Sequence, residues 1–144
     1  EPALSELMKN EKFKADEILY VGLQGLHDYQ EAFLKNAGVD YKVQTEAFVS
    51  NQEIEEFTAR FDHIFVHLDI DVLDAAKFHS TYFANEELVG DGSGGGKMTM
   101  DKLAEILGCI MNTADVVGLT IAEYLPFDEH QLHKMFCGLS IFQD

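Results

Sequence analysis

The chain has 144 residues, enough for one domain with a buried core, and 47% of them are apolar. Lys and Arg total 10 against 26 Asp and Glu, a formal charge of −16, which a phosphate backbone or an anionic membrane surface would repel. No apolar run reaches the roughly 20 residues of a membrane helix and no secretory leader can be read, so the expectation is a cytoplasmic protein with neither nucleic acid nor membrane as partner.

In chain order, residues 3–17 predict a helix with Leu4, Leu7 and Met8 on one face. "EILYVGLQG" (17–25) predicts a short buried strand, and "HDYQEAFLKNAG" (27–38) a helix stopped by Gly38. "DYKVQTEAF" (40–48) alternates like a strand. Ser50 with Glu53 three residues on forms a capping box for the next helix. A second apolar strand is expected at about 62–71, then an irregular stretch over 72–97. "TMDKLAEILGCIMN" (99–112) predicts a helix with Thr99 as N-cap and Leu103, Ile106, Leu107 and Ile110 on one face. A strand over 115–125 closes at Pro126, and a final helix covers 128–142.

Near-continuously apolar strands alternate with helices. That pattern indicates an α/β domain over 1–144, with a mostly parallel sheet and helices on both faces. Sheets of this kind hold ligands at the carboxyl ends of their strands.

The strand over 62–71 carries acids there. With a period of two, Phe65, His67, Asp69 and Asp71 share one face, and Val66, Leu68, Ile70 and Val72 the other. Carboxylates converging at a strand end repel unless a proton or a cation lies between them. A hard divalent ion with oxygen ligands fills that role. The competing reading is a pair of acids capping the following turn. Glu123 also ends an apolar strand, before a proline turn, and its competing reading is an exposed strand-end acid. Asp74 lies just beyond the strand and reads as a turn acid.

Other motifs carry less. "GDGSGGGKMT" (90–99) is not a P-loop, because Asp91 stands where the leading glycine belongs and Met98 where Ser or Thr must follow the lysine. His130 and His133 stand at i, i+3 on the last helix but lack a third ligand in sequence, so exposed polarity is the expected role. Cys109 and Cys137 sit in apolar helical patterns without CxxC spacing and read as buried thiols.

"VHLDIDVLD" (66–74), "GGGKMT" (94–99) and "VVGLTIAEYLP" (116–126) together resemble the carboxyl-terminal half of the ureohydrolases, the family of arginase, agmatinase and formiminoglutamase. "ILYVGLQG" resembles the strand just upstream, so the likeness in order and spacing runs over roughly 18 to 140. The resemblance implies an arginase-like three-layer α/β/α fold, here incomplete. It also implies hydrolysis of a guanidino or formimino C–N bond by water activated at two Mn2+ ions. By the same resemblance Asp69 and Asp71 are metal ligands, Asp69 bridging the ions, and Glu123 holds the guanidinium-like group of a small-molecule substrate.

The family's other ligands lie in a G-G-D-H type turn and a D-x-H-x-D strand end, and neither motif occurs in these 144 residues. His67, Ala75, Gln24 and "HSTYFANEE" (79–87) also depart from the family pattern. The chain is therefore expected to be the carboxyl-terminal segment of a larger hydrolase, inactive alone and homo-oligomeric. The alternative expectation is a degenerate, non-catalytic ureohydrolase-like domain with an assembly or regulatory role.

Overall fold

The computed structural model describes residues 6, 9–10, 13–43, 48–89, 95–127 and 129–143. They belong to two compact units, Glu1–Phe48 and Val49–Asp144. All strand pairing among them is parallel, as expected of an α/β chain. No helix among the described residues is long and apolar enough to cross a membrane.

In the first unit, residues 3–5, 7–8 and 11–12 of the helix expected over 3–17 lie outside the described residues; Glu6 and Lys9 are helical, and the end, Ala15–Glu17, is a 3-10 turn. Strand β1 (Leu19–Leu23) pairs with β2 (Asp40–Val43). Their register slips between Tyr20 and Leu23, where Gly22 adopts a φ of 77° that other residues resist. Helix α1 (Asp28–Ala37) connects the two strands. It stops at Gly38, whose left-handed backbone (φ 72°) lets the Val39 N–H donate to the Leu34 carbonyl at 3.1 Å. Leu34 and Val39 are both buried, which adds the hydrophobic contact usual at such a stop.

The second unit begins with the expected capping box. Glu53 N–H donates to Ser50 Oγ at 3.2 Å, and Ser50 N–H donates to Glu53 Oε2 at 2.9 Å. Helix α2 (Asn51–Thr58) then packs against a later helix that spans Met100–Thr113, with a four-residue helix, α3 (Glu86–Val89), between them in sequence. We name the longer helix α4. Its N-cap is Thr99, whose Oγ1 accepts from Lys102 N–H at 3.2 Å. The apolar face of α4 is the one the periodicity specifies: Leu103, Ile106 and Leu107 are buried. The two helix ends are joined by the Thr58 and Thr113 hydroxyls, 3.3 Å apart.

Strand β3 (Ile64–Asp69) pairs with β4 (Val116–Ala122). Phe65 is 62% exposed while Leu68 is buried, so the alternation expected of this strand is present. Val49, Ile54, Leu68, Ile70, Leu73, Phe78 and Met98 form much of the core of this unit. The final helix, α5 (Glu129–Phe136), is shorter than expected and is followed by a 3-10 turn at Ser140–Phe142. Leu132, Met135 and Leu139 anchor this region by burial. Cys109 is half-buried and Cys137 exposed, which corrects the expectation of two buried thiols.

Candidate functional site

The strand expected to run through residue 71 ends at Asp69, and Ile70–Val72 turn into a 3-10 helix. Asp69 is the cause. Its Oδ1 accepts the Asp71 N–H at 2.9 Å, satisfying a donor that the strand would have given to a ladder. Asp69 thus ends the strand and caps the turn, and Asp71 reaches the same end by a turn rather than by strand alternation. Ile70, between them, is completely buried and pins the turn to the core.

Asp71 is held from two sides. The Thr81 hydroxyl donates to its Oδ1. Its carbonyl accepts the Gly96 N–H at 2.8 Å. Burial pushes its carboxyl above the ordinary range; the Thr81 hydroxyl opposes that, and the charges of Asp69 and Glu123 add to the rise. The field at Asp71 therefore already contains both other candidate acids.

Glu123 reaches the same edge along β4. Asp69 is in register with Ala122, and the strands are parallel, so the next residue after Ala122 emerges beside the end of β3. Glu123 is exposed and has a φ of 59°. Left-handed backbone is uncommon for a residue with a Cβ, and such outliers concentrate at functional positions. We predict that Glu123→Gly raises stability by about 0.5–1 kcal/mol: roughly 1–2 kcal/mol of backbone strain is relieved, and part of the gain is lost to the freer unfolded chain. Urea denaturation would measure this, and a lowered midpoint would contradict the strain.

Two segments to which the sequence assigned no supporting role hold the cluster. Ser80 and Thr81 are buried. Ser80 accepts the Leu125 N–H at its carbonyl (2.9 Å) and the Phe127 N–H at its hydroxyl (3.2 Å). The segment around 80–81 thereby links Asp71 to the chain just past Glu123. No periodic pattern in "HSTYF" signals that role; it follows from where the hydroxyls are buried. The second support is the end of the glycine-rich stretch. Residues 90–94 lie outside the described residues, but Gly96 and Met98 run beside Asp74 and Leu73 as parallel bridges.

The remaining candidates separate from this cluster. Asp74 is a turn acid: its Oδ1 accepts the Ala76 N–H at 3.1 Å, and its Oδ2 lies 3.4 Å from Lys77 Nζ. The Ala76 N–H holds its carboxyl below the ordinary range, burial opposes that, and Lys77 and Lys97 assist it. His67 bonds through Nδ1 to the Thr120 hydroxyl at 2.7 Å, on the exposed face of the strand pair. His133 lies 3.5 Å from Cys137 through its Nε2.

Asp69 and Asp71 are suited in kind to a hard cation, since both offer carboxylate oxygens and each carboxylate is oriented by a hydrogen bond. They are not sufficient in number. Among the described residues no group of three or more His, Cys, Asp or Glu side chains is arranged to hold a metal ion.

No family model matches this sequence, and no curated protein matches it. Solved structures do. The chain is similar to formimidoylglutamase from Bacillus subtilis subsp. subtilis str. 168, with a TM-score of 0.61 and 20% identity, over 85% of this chain and 38% of that one. It is also similar to Helicobacter pylori arginase, with a TM-score of 0.63 and 16% identity, over 87% of this chain and 43% of that one. The chain thus spans less than half the length of either structure. At these identities the likeness is one of architecture: this α/β chain has the arginase-like fold that the strand-end motifs of the sequence led us to expect.

Proposed function

We propose that the chain is the carboxyl-terminal segment of a ureohydrolase-type enzyme that hydrolyses a C–N bond of a guanidino or formimino compound. The observation that carries this reading is the meeting of three acids at one sheet edge. Asp69 ends β3, Asp71 follows on its turn, and Glu123 leaves the neighbouring parallel strand one residue beyond the partner of Asp69. Asp71 senses both of the others electrostatically.

Asp69 and Asp71 would supply carboxylate ligands to a pair of Mn2+ ions, whose contribution is the activation of water. The remaining ligands would come from residues outside this chain. Glu123 would accept two parallel N–H bonds from a planar guanidinium or formimino group, and its exposed, left-handed position leaves it open to such a ligand. The segment by itself is expected to be inactive, because two carboxylates make an open and incomplete site.

The test uses the longer protein that contains this chain. Calorimetric titration should show stoichiometric Mn2+ binding, and assays over guanidino and formimino compounds should detect hydrolysis. Glu123→Gln should raise KM while the metal stoichiometry stays unchanged. Absence of stoichiometric Mn2+ binding and of turnover would reject the enzyme reading in favour of a non-catalytic domain with an assembly or regulatory role.

A further inference from the structure

Thr81 stands at the N-cap of the 3-10 turn Tyr82–Ala84, where its carbonyl accepts the Ala84 N–H at 3.1 Å. A threonine at such a position ordinarily turns its hydroxyl oxygen onto an N–H of its own turn. Ser50 and Thr99 do so at the helices they begin. Thr81 makes no side-chain cap bond. Its hydroxyl instead reaches across ten residues of sequence and donates to Asp71 Oδ1.

The place of that hydroxyl is fixed by its neighbours. Thr81 is 1% exposed, so an unpartnered hydroxyl there would be costly. A carboxylate oxygen takes the hydroxyl proton, and a bond to a charged acceptor is stronger than a neutral cap bond. Ser80, next to it, is completely buried. It holds the chain just past Glu123 through the Leu125 and Phe127 N–H groups. Phe78 is buried on the other side, and the Tyr82 and Phe83 rings meet edge to face at 5.9 Å. The hydroxyl is therefore delivered to Asp71 by a segment that is packed on both sides.

The Asp71 backbone is already held, by Asp69 Oδ1 at its N–H and by the Gly96 N–H at its carbonyl. Its carboxylate is subject to the charges of Asp69 and Glu123. Like charges drive a mobile carboxylate outward, away from the edge where the acids meet. The Thr81 hydroxyl opposes that swing. A ligand held in its binding orientation before an ion arrives costs less to order on binding.

We propose that Thr81 is a positioning residue: by fixing Asp71 Oδ1 it presets the Asp71 carboxylate for Mn2+, and through Ser80 it ties that carboxylate to the strand end bearing Glu123. The inference rests on the hydrolase reading above. Thr81 acts through Asp71, not on the ion or the substrate.

Calorimetric Mn2+ titration of the longer protein that contains this chain provides the test. Thr81→Val removes the donor and should weaken Mn2+ binding roughly 10–100-fold, the usual effect of losing an outer-shell partner, with the number of ions at saturation unchanged. Thr81→Ser keeps the hydroxyl and should bind as the parent does. In an Asp71→Ala background Thr81→Val should weaken binding no further, because the carboxylate it positions is gone. If Thr81→Val does not fold, Thr81→Ala replaces it in both comparisons. Parent-like affinity in Thr81→Val, weak binding by Thr81→Ser, or an equal further loss in the Asp71→Ala background would each overturn the positioning role and leave the hydrolase reading standing. Absence of Mn2+ binding by the parent would overturn both.

Discussion

Replacing Gly96 with alanine is expected to lower the stability of the chain by about 3 kcal/mol or more. The reason is contact, not backbone conformation. A Cβ at this position would overlap the Val72 carbonyl and come within 2.6 Å of the Asp71 carbonyl oxygen. Backbone atoms cannot rotate aside as a side chain can. The segment would have to move, and three hydrogen bonds would lengthen with it. These are Gly96 N–H to Asp71 O (2.8 Å), Met98 N–H to Val72 O (3.1 Å) and Asp74 N–H to Met98 O (2.9 Å). Met98 and Leu73, both buried, would lose their fit at the same time. Gly118→Ala is the contrasting control. Its Cβ would come within 2.7 Å of the Phe65 ring, but that ring is 62% exposed and can turn away. Its cost should stay near 1 kcal/mol. Urea unfolding of both variants would decide; equal midpoints would refute the argument.

Asp69→Asn should separate charge from structure. Asparagine keeps a side-chain oxygen that can accept the Asp71 N–H, so the turn after β3 and the fold should survive. The negative charge beside Asp71 disappears, which removes one of the influences holding the Asp71 carboxyl above its ordinary range. On the proposed function, the longer protein would lose one of its carboxylate ligands to the metal. Metal activation contributes several kcal/mol to such reactions, so kcat/KM should fall roughly 10³-fold, with reduced Mn2+ stoichiometry. Circular dichroism and denaturant midpoints should match the parent chain. Retention of both activity and metal stoichiometry would exclude Asp69 from the role.

Much of this arrangement was legible before any coordinates. Ser50 and Glu53, Thr99, and the Gly38 stop mark helix ends through local chemistry, and the helices begin or end where those signals stand. The face of α4 follows from its periodicity alone. The parallel pairing of β3 with β4 follows from apolar strands separated by helices, and with it the meeting of Asp69 and Glu123 at one edge. The arginase-like fold was expected from the resemblance in motif order, and the two solved structures share that architecture.

Strand alternation alone could not give the path at Asp71. A period of two puts residues 69 and 71 on one face of a strand, but a side-chain carboxylate competed for the backbone N–H and turned the chain early. Nor could local pattern identify Ser80, Thr81 and Gly96 as supports, since their partners lie 10 to 47 residues away and have no periodicity. Cys137 shows the same limit. Its apolar neighbours suggest burial, yet it falls just past the end of α5, where the next turn carries Leu139 inward and leaves the thiol outside beside His133. The sequence by itself determined the order of elements, their caps and the edge on which the acids meet, because those depend on near neighbours and on strand direction. Only the tertiary structure decided which hydroxyl holds Asp71, which carbonyl requires a glycine opposite it, and which histidine faces the exposed thiol, because those contacts exist only once distant segments have packed.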